Sequence, residues 1–309
     1  MLTAFLTVGQ QVLILFFFLA IGFVCGKTKL IDDKSSLAIS NLVLYTGIPA
    51  AMIVSFQGEF VTEKIWIFFA VIILTFVLHG IHYILAKLLI REKKADRCCC
   101  LQFAAVLPNS CFMGVPLMAA AVGSIGVMYG SAYVAASIFL IWTLGVYMIS
   151  GDRQKFSLRV AILNPGVLGV VFAMILYLTQ IKVPPVLFKA LSSLASLNTP
   201  LPMMVIGYQL SKANIGTLFR HGGFWVSTLL RLIILPLISL ALVLLLPIPG
   251  EAAVAIVIAS ATPSAVVLGM FAVKYGKETD FAAGITATQT LISIITIPII
   301  VGIAQYLIP

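Results

Sequence analysis

The chain carries little charge. Asp, Glu, Lys and Arg make up 9% of its 309 residues, against 61% hydrophobic, and no soluble domain covers its own surface with so few polar groups. Acids are scarcest. There are ten, Asp32, Asp33, Glu59, Glu63, Glu92, Asp96, Asp152, Glu251, Glu278 and Asp280, each in a loop or at the end of an apolar run. A cation or proton exchanger usually keeps an acid in mid-membrane to hold its ion. This distribution therefore argues against that chemistry, and it removes an intramembrane aspartyl protease. The 3 histidines and 5 cysteines show no metal-ligand spacing and no disulfide framework, so neither a metal nor another cofactor is expected. The run Cys98 to Cys100 reads as small buried residues, with S-acylation at a membrane boundary as the alternative. There is no phosphate-cradling glycine loop and no ATPase domain, which excludes primary active transport by this chain alone. No nucleophile–base pair lies within the apolar runs, so the chain is not read as an enzyme.

What is present is apolar sequence in repeated lengths. A helix needs about 20 residues to cross the hydrocarbon core. Runs of that order lie at 6–25, 36–56, 65–88, 98–122, 127–149, 164–181, 185–210, 222–247, 252–274 and 280–307. The fold class expected is an all-α polytopic membrane protein with ten transmembrane helices. The first run has no basic segment before it and is long enough to span, so it is taken as the first helix and not as a cleaved signal peptide. The formal charge of +9 sits in short loops, where it reads as a topology signal and not as a nucleic-acid surface.

Taking alternate loops, one side holds Lys27, Lys29 and Lys34; Lys87, Arg91, Lys93, Lys94 and Arg97; Arg153, Lys155 and Arg159; Lys212 and Arg220; Lys274 and Lys277. The other holds little more than Lys64 and Lys182. This positive-inside bias puts both termini on the non-cytoplasmic side of the inner (plasma) membrane. Ten helices then divide as five plus five, residues 1–150 and 151–309, and the odd number per half turns the second upside down: an inverted repeat.

The fourth and ninth runs carry the most informative residues. Pro108 is followed by Asn109, Ser110 and Gly114, within LPNSCFMGVPL; Pro263 is preceded by Thr262 and followed by Ser264 and Gly269, within ASATPSAVVLG. A proline inside a spanning helix removes a backbone hydrogen bond and clashes with the preceding turn. Matched breaks in corresponding helices of two halves point to the binding site of a secondary transporter. Two half-helix N-termini meeting near the midplane favour an anion such as a carboxylate, with Asn109, Ser110, Thr262 and Ser264 placed to cap the ends or touch substrate. The bland alternative is a pair of simple kinks. Gly114 and Gly269 read as hinge positions that allow close helix crossing.

Other polar residues leave alternatives open. Gln289, with Thr286, Thr288, Thr290 and Ser293, gives the last run a polar face that suits either a cavity, with Gln289 touching substrate, or helix–helix hydrogen bonding. Arg231 either attracts substrate or snorkels and pairs with backbone carbonyls. His79 and His82 are a structural pair or a proton relay. Tyr45 and Thr46 before Pro49, and Asn198 and Thr199 before Pro200 and Pro202, add a matched irregularity to the second helix of each half.

With these residues in hand, the chain resembles a bacterial member of the auxin efflux carrier family, within the bile-acid, arsenite and riboflavin transporter superfamily. The resemblance rests on Asn41, Leu42 and Val43 leading to Ile48 and Pro49; on PNSCFMGVPL at 108–117; on Asn164 and Pro165; on the segment from Gly207 to Leu210; and on ATPSAVVLGMFAVKYG at 261–276, followed by Ile297 and Pro298. It implies broken, crossing helices 4 and 9, alternating access by movement of the crossover, Asn109 facing a substrate carboxylate, a homodimer, and organic acids as substrates. The chain departs from the plant carriers in its short connection from Ser150 to Leu163, in Ser264, and in Met52 three residues past Pro49, so auxin itself is not implied. The function expected is a permease for small organic anions such as mono- or dicarboxylates. The rivals are a sodium- or proton-coupled symporter of bile-acid type, with Asn109 and Gln289 holding the ion, and a ligand sensor on a carrier fold.

Overall fold

The computed structural model describes residues 2–152, 157–212 and 215–308. Arg153 and Lys155, used above to count basic loops, lie outside the described residues. Helices account for nearly all of the described chain: α1 (Leu2–Lys27), α2 (Asp33–Ser55), α3 (Thr62–Leu89), α4 (Ala95–Val106), α5 (Ser110–Val122), α6 (Ser124–Ser150), α7 (Leu158–Ile162), α8 (Pro165–Thr179), α9 (Pro185–Ser196), α10 (Pro200–Lys212), α11 (Ile215–Phe219), α12 (Gly222–Leu245), α13 (Gly250–Ala261), α14 (Val267–Lys274) and α15 (Thr279–Leu307). Among the described residues, six stretches are long and apolar enough to cross a membrane: Gly9–Lys27 of α1, and α2, α3, α6, α12 and α15. The remaining expected runs appear as shorter pieces. Those at 98–122, 185–210 and 252–274 are each divided in two, and that at 164–181 is a 15-residue helix.

The boundaries follow from local chemistry. Asp32 caps α2, accepting from Ser35 N at 2.8 Å, in a reciprocal capping box. Asn164 caps α8 through Gly166 N at 3.0 Å, with Pro165 in the first turn, where its missing N–H costs nothing. The turn between α5 and α6 is a single residue, Gly123, at φ 76°, a left-handed conformation that a side chain would oppose. Three of the long runs contain a five-residue π-helical turn ending two residues before a proline: Val43–Gly47 before Pro49, Ser110–Gly114 before Pro116 and Leu230–Ile234 before Pro236. The wider turn moves the carbonyl four residues back away from the proline ring, so the helix continues instead of ending.

Position in the bundle explains the composition of the broken runs. Every residue of α13 from Ala252 to Ala261 is buried, as is α4 from Cys100 to Val106. Helices apolar on all faces belong inside the protein, whereas α1, α3 and α9 turn Phe17, Trp66 and Val186 outward. α10 lies along α1, and α8 lies along α2.

Candidate functional site

The two prolines break their helices and the breaks meet. Asn109 N donates to Pro263 O at 2.7 Å, and Ala265 N donates to Leu107 O at 2.9 Å, a short antiparallel bridge centred on Pro108 and Ser264. Backbone groups released inside an apolar bundle must find partners, and here each break supplies those of the other. Gln289 completes the second break: its Oε1 accepts from Ser264 N at 3.2 Å, while its Nε2 donates to Thr228 Oγ1 at 3.4 Å.

Because the backbone does this work, two of the side chains expected as caps, Asn109 and Ser264, are left free. Asn109 precedes the first turn of α5 without capping it, and its amide Nδ2 has no partner although the residue is 4% exposed. Ser264 Oγ is likewise unpartnered and fully buried. Asn109 lies on the wall of a cavity of about 110 Å³ with Pro108, Ser110 and Cys111 of the first break and Ala265, Val266 and Val267 of the second. Ser40, Asn41 and Leu44 of α2, Ile138, Ile141 and Trp142 of α6, and Asn164 close it. No acidic side chain lines it among the described residues.

A wider cavity of about 530 Å³ shares Ser40, Val266 and Met270 with the first, so the chamber at the breaks continues into a vestibule. Gly269 lies on the vestibule wall, and a Cβ there would meet only Ala283, at 3.9 Å. Asp33, Tyr208 and Lys212 also line it: Lys212 Nζ lies 2.8 Å from Asp33 Oδ1, which also accepts from Tyr208 Oη at 2.7 Å. Nearby loops are tied by Lys277–Asp96 at 2.6 Å and Arg97–Glu278 at 2.8 Å.

Residues 7–160 and 153–301 match the family described as membrane transport protein. The chain belongs to this family. It is also similar to an uncharacterized transporter of Methanocaldococcus jannaschii, at 23% identity over 297 residues, which cover 93% of this chain and 95% of that protein. A multi-pass membrane transporter accounts for the apolar helices, and within that setting the other candidate residues can be placed.

Thr262 Oγ1 bonds its own helix at Ala259 O, 2.7 Å away, and Gln289 is occupied as described; neither lines the cavity of the transporter. A Cβ at Gly114 would meet Met118, Thr262 and Ala259 at ordinary contact distance or slightly under it. Arg231 is fully buried and off the cavity wall; its guanidinium donates to Ala105 O at 3.0 Å, to Val106 O at 3.1 Å and to Ser260 O. Of the alternatives open in the sequence, the structure has Arg231 pairing with backbone carbonyls. His79 Nδ1 lies 2.8 Å from Thr75 O and its ring packs on Tyr133, with His82 a turn away, all buried and outside both cavities. The matched irregularities of the second and seventh runs touch: Asn198 Nδ2 donates to Gly47 O at 2.7 Å. Sequence reasoning did not single out Trp142, Ser40 or Ile138 for the cavity, since nothing in their local sequence differs from ordinary helix.

Proposed function

We propose that this transporter is a secondary carrier of small organic anions, such as mono- or dicarboxylates, which bind where the two breaks meet and cross by alternating access. The observation that carries the reading is the unpartnered amide of Asn109, buried on the wall of a cavity that has no acid on it. A buried donor without an acceptor is costly, and a carboxylate oxygen would supply the acceptor. The first turns of α5 and α14 reach the same wall through Ser110, Cys111, Val266 and Val267, adding unsatisfied N–H groups and the positive ends of two helix dipoles. Thr262 and Gln289 then support the backbone of the breaks, while Pro108, Asn109 and Ser110 face the substrate.

The inverted-repeat reading is supported by reciprocal packing. The first run lies on the seventh (α1 on α10) and the sixth on the second (α8 on α2); the third lies on the fifth (α3 on α6) and the eighth on the tenth (α12 on α15); the fifth lies on the first part of the ninth (α6 on α13) and the tenth on the first part of the fourth (α15 on α4). Each pair maps onto its fellow when five is added to or subtracted from the run number. On this reading the vestibule opens on the basic, cytoplasmic side, both termini lie on the other, and the crossing breaks are the moving part.

Counterflow in proteoliposomes tests the proposal, with a panel of labelled mono- and dicarboxylates and Asn109→Ala beside the wild type. A hydrogen bond to a charged group is worth about 1.5–3 kcal/mol, so the variant should weaken half-saturation of the exchanged acid by about ten- to a hundredfold. Exchange of a cation or neutral solute, with every acid inert, would overturn it.

A further inference from the structure

The negative ends of the same two broken helices converge on one place. Ala105 and Val106 are the last two residues of α4, and Ser260 is the last but one of α13; their carbonyl oxygens have no partner further along their own helices. In carriers with discontinuous helices, carbonyls of this kind, at half-helix C-termini and unwound backbone, are the groups that coordinate a coupling cation. Here they are taken by a side chain. Arg231, in the π-helical turn of α12, donates to all three and is fully buried. A guanidinium remains charged at any physiological pH and offers donors in a rigid planar fork, so it can span acceptors on two separate helices.

We infer that Arg231 is a resident cation, standing where a monovalent coupling ion would otherwise bind between the carbonyl ends of α4 and α13. It makes anion movement through the breaks independent of Na⁺ and K⁺. The charge comes from α12 and the carbonyls from α4 and α13, so the three elements are held as one body around the crossing. The chain's lack of acids within the runs fits this assignment: a permanent internal cation needs no carboxylate when three carbonyl dipoles face it. Arg231 is therefore a positioning residue that also sets ion specificity. The inference rests on the carrier reading for its transport consequence, and on the carbonyl geometry alone for its binding consequence.

The test uses both consequences. Purified wild-type protein in detergent should unfold at the same temperature in NaCl, KCl and choline chloride at equal ionic strength. Arg231→Ala should unfold earlier, and guanidinium chloride at low concentration, or Na⁺, should raise its transition while choline does not. In proteoliposomes, wild-type exchange should proceed at one rate in the three salts. Exchange should fall in Arg231→Ala, because three buried carbonyls lose their common donor, with part of it restored by guanidinium, and Arg231→Lys should keep its indifference to Na⁺. Stabilisation or acceleration of the wild type by Na⁺ over choline overturns the inference, and so does an Arg231→Ala protein that folds but ignores both guanidinium and Na⁺. If Arg231→Ala does not fold, the wild-type and Arg231→Lys salt comparisons decide. Because the unfolding arm contains no substrate, a wild type that exchanges no acid yet shows the expected unfolding pattern overturns the anion reading and leaves the cation assignment standing.

Discussion

Gly207→Ala should separate two helices that touch backbone to backbone. A Cβ at Gly207 in α10 would lie 2.0 Å from Leu19 O and 2.7 Å from Phe23 N in α1; one at Gly22 in α1 would lie 2.1 Å from Met204 O. Ordinary contact begins at 3.4 Å, so α10 must retreat by about 1.4 Å, the difference between 3.4 and 2.0. No side chain can rotate out of the way, because the atoms met are main chain. The interface that opens contains buried Leu15, Leu19, Met203 and Ile206, and overpacking of this sort costs about 1–3 kcal/mol, with a backbone clash at the upper end or above it. For chains of 150–250 residues each kcal/mol is worth about 2–4 °C, so unfolding in detergent should begin several degrees below the wild type. Gly22→Ala should behave alike, and the double variant should lose less than the sum, since one separation relieves both clashes. Gly80→Ala is the control: it sits exposed inside α3 with nothing within 4 Å of its Cβ, and the gain in helix propensity of up to about 1 kcal/mol should leave it as stable or more so. If Gly207→Ala unfolds with the wild type while Gly80→Ala also holds, the close approach of α1 and α10 is wrong.

Two further substitutions probe the site's surroundings. Asn198→Ala removes the 2.7 Å bond to Gly47 O, a second bond to a carbonyl that the helical segment from Ile48 already engages; a loss of about 0.5–1.5 kcal/mol is expected, read by the same unfolding assay, and an unchanged transition would show that the bond is not made. Trp142→Ala removes the largest side chain on the cavity wall, one that packs on Phe271 at 5.3 Å; competition by longer dicarboxylates should strengthen relative to short ones, and an unaltered competition profile would place substrate elsewhere.

The breaks at Pro108 and Pro263 were legible in the sequence because a proline declares its own local effect: it lacks an N–H wherever it sits. The partner of each break was not, because Asn109 and Pro263, joined by a 2.7 Å bond, lie far apart in the chain, and no local pattern encodes that pairing. The sequence reading accordingly gave the capping work to Asn109, Ser110 and Ser264, whereas each break is closed by the backbone of the other and by Gln289. The same reason hid the partners of Arg231, whose charge was visible and whose acceptors belong to two other helices. The π-helical turns could have been found, since three of them end two residues before a proline. The division of the seventh run at 197–199 was signalled by Asn198, Thr199, Pro200 and Pro202, whereas the bond from Asn198 to Gly47 O in the second run joins residues far apart in the chain and was not.

The freed side chains and the buried arginine belong to one electrostatic arrangement. A break in a helix creates a negative end and a positive end within a few ångströms of each other, and left alone they would largely cancel. Here the negative ends of α4 and α13 are engaged by Arg231 away from the cavity wall, while the first turns of α5 and α14 reach that wall beside the unpartnered Asn109 amide. On the proposed reading, neutralising one pole lets the other act, so the cavity favours an anion without a cation on its surface. An anion held by amides and dipole ends is bound less rigidly than one paired with a lysine or arginine, which suits a carrier that must release what it binds. Placing an arginine at position 110 or 266, directly on the cavity wall, should therefore tighten binding of an acid while slowing its exchange.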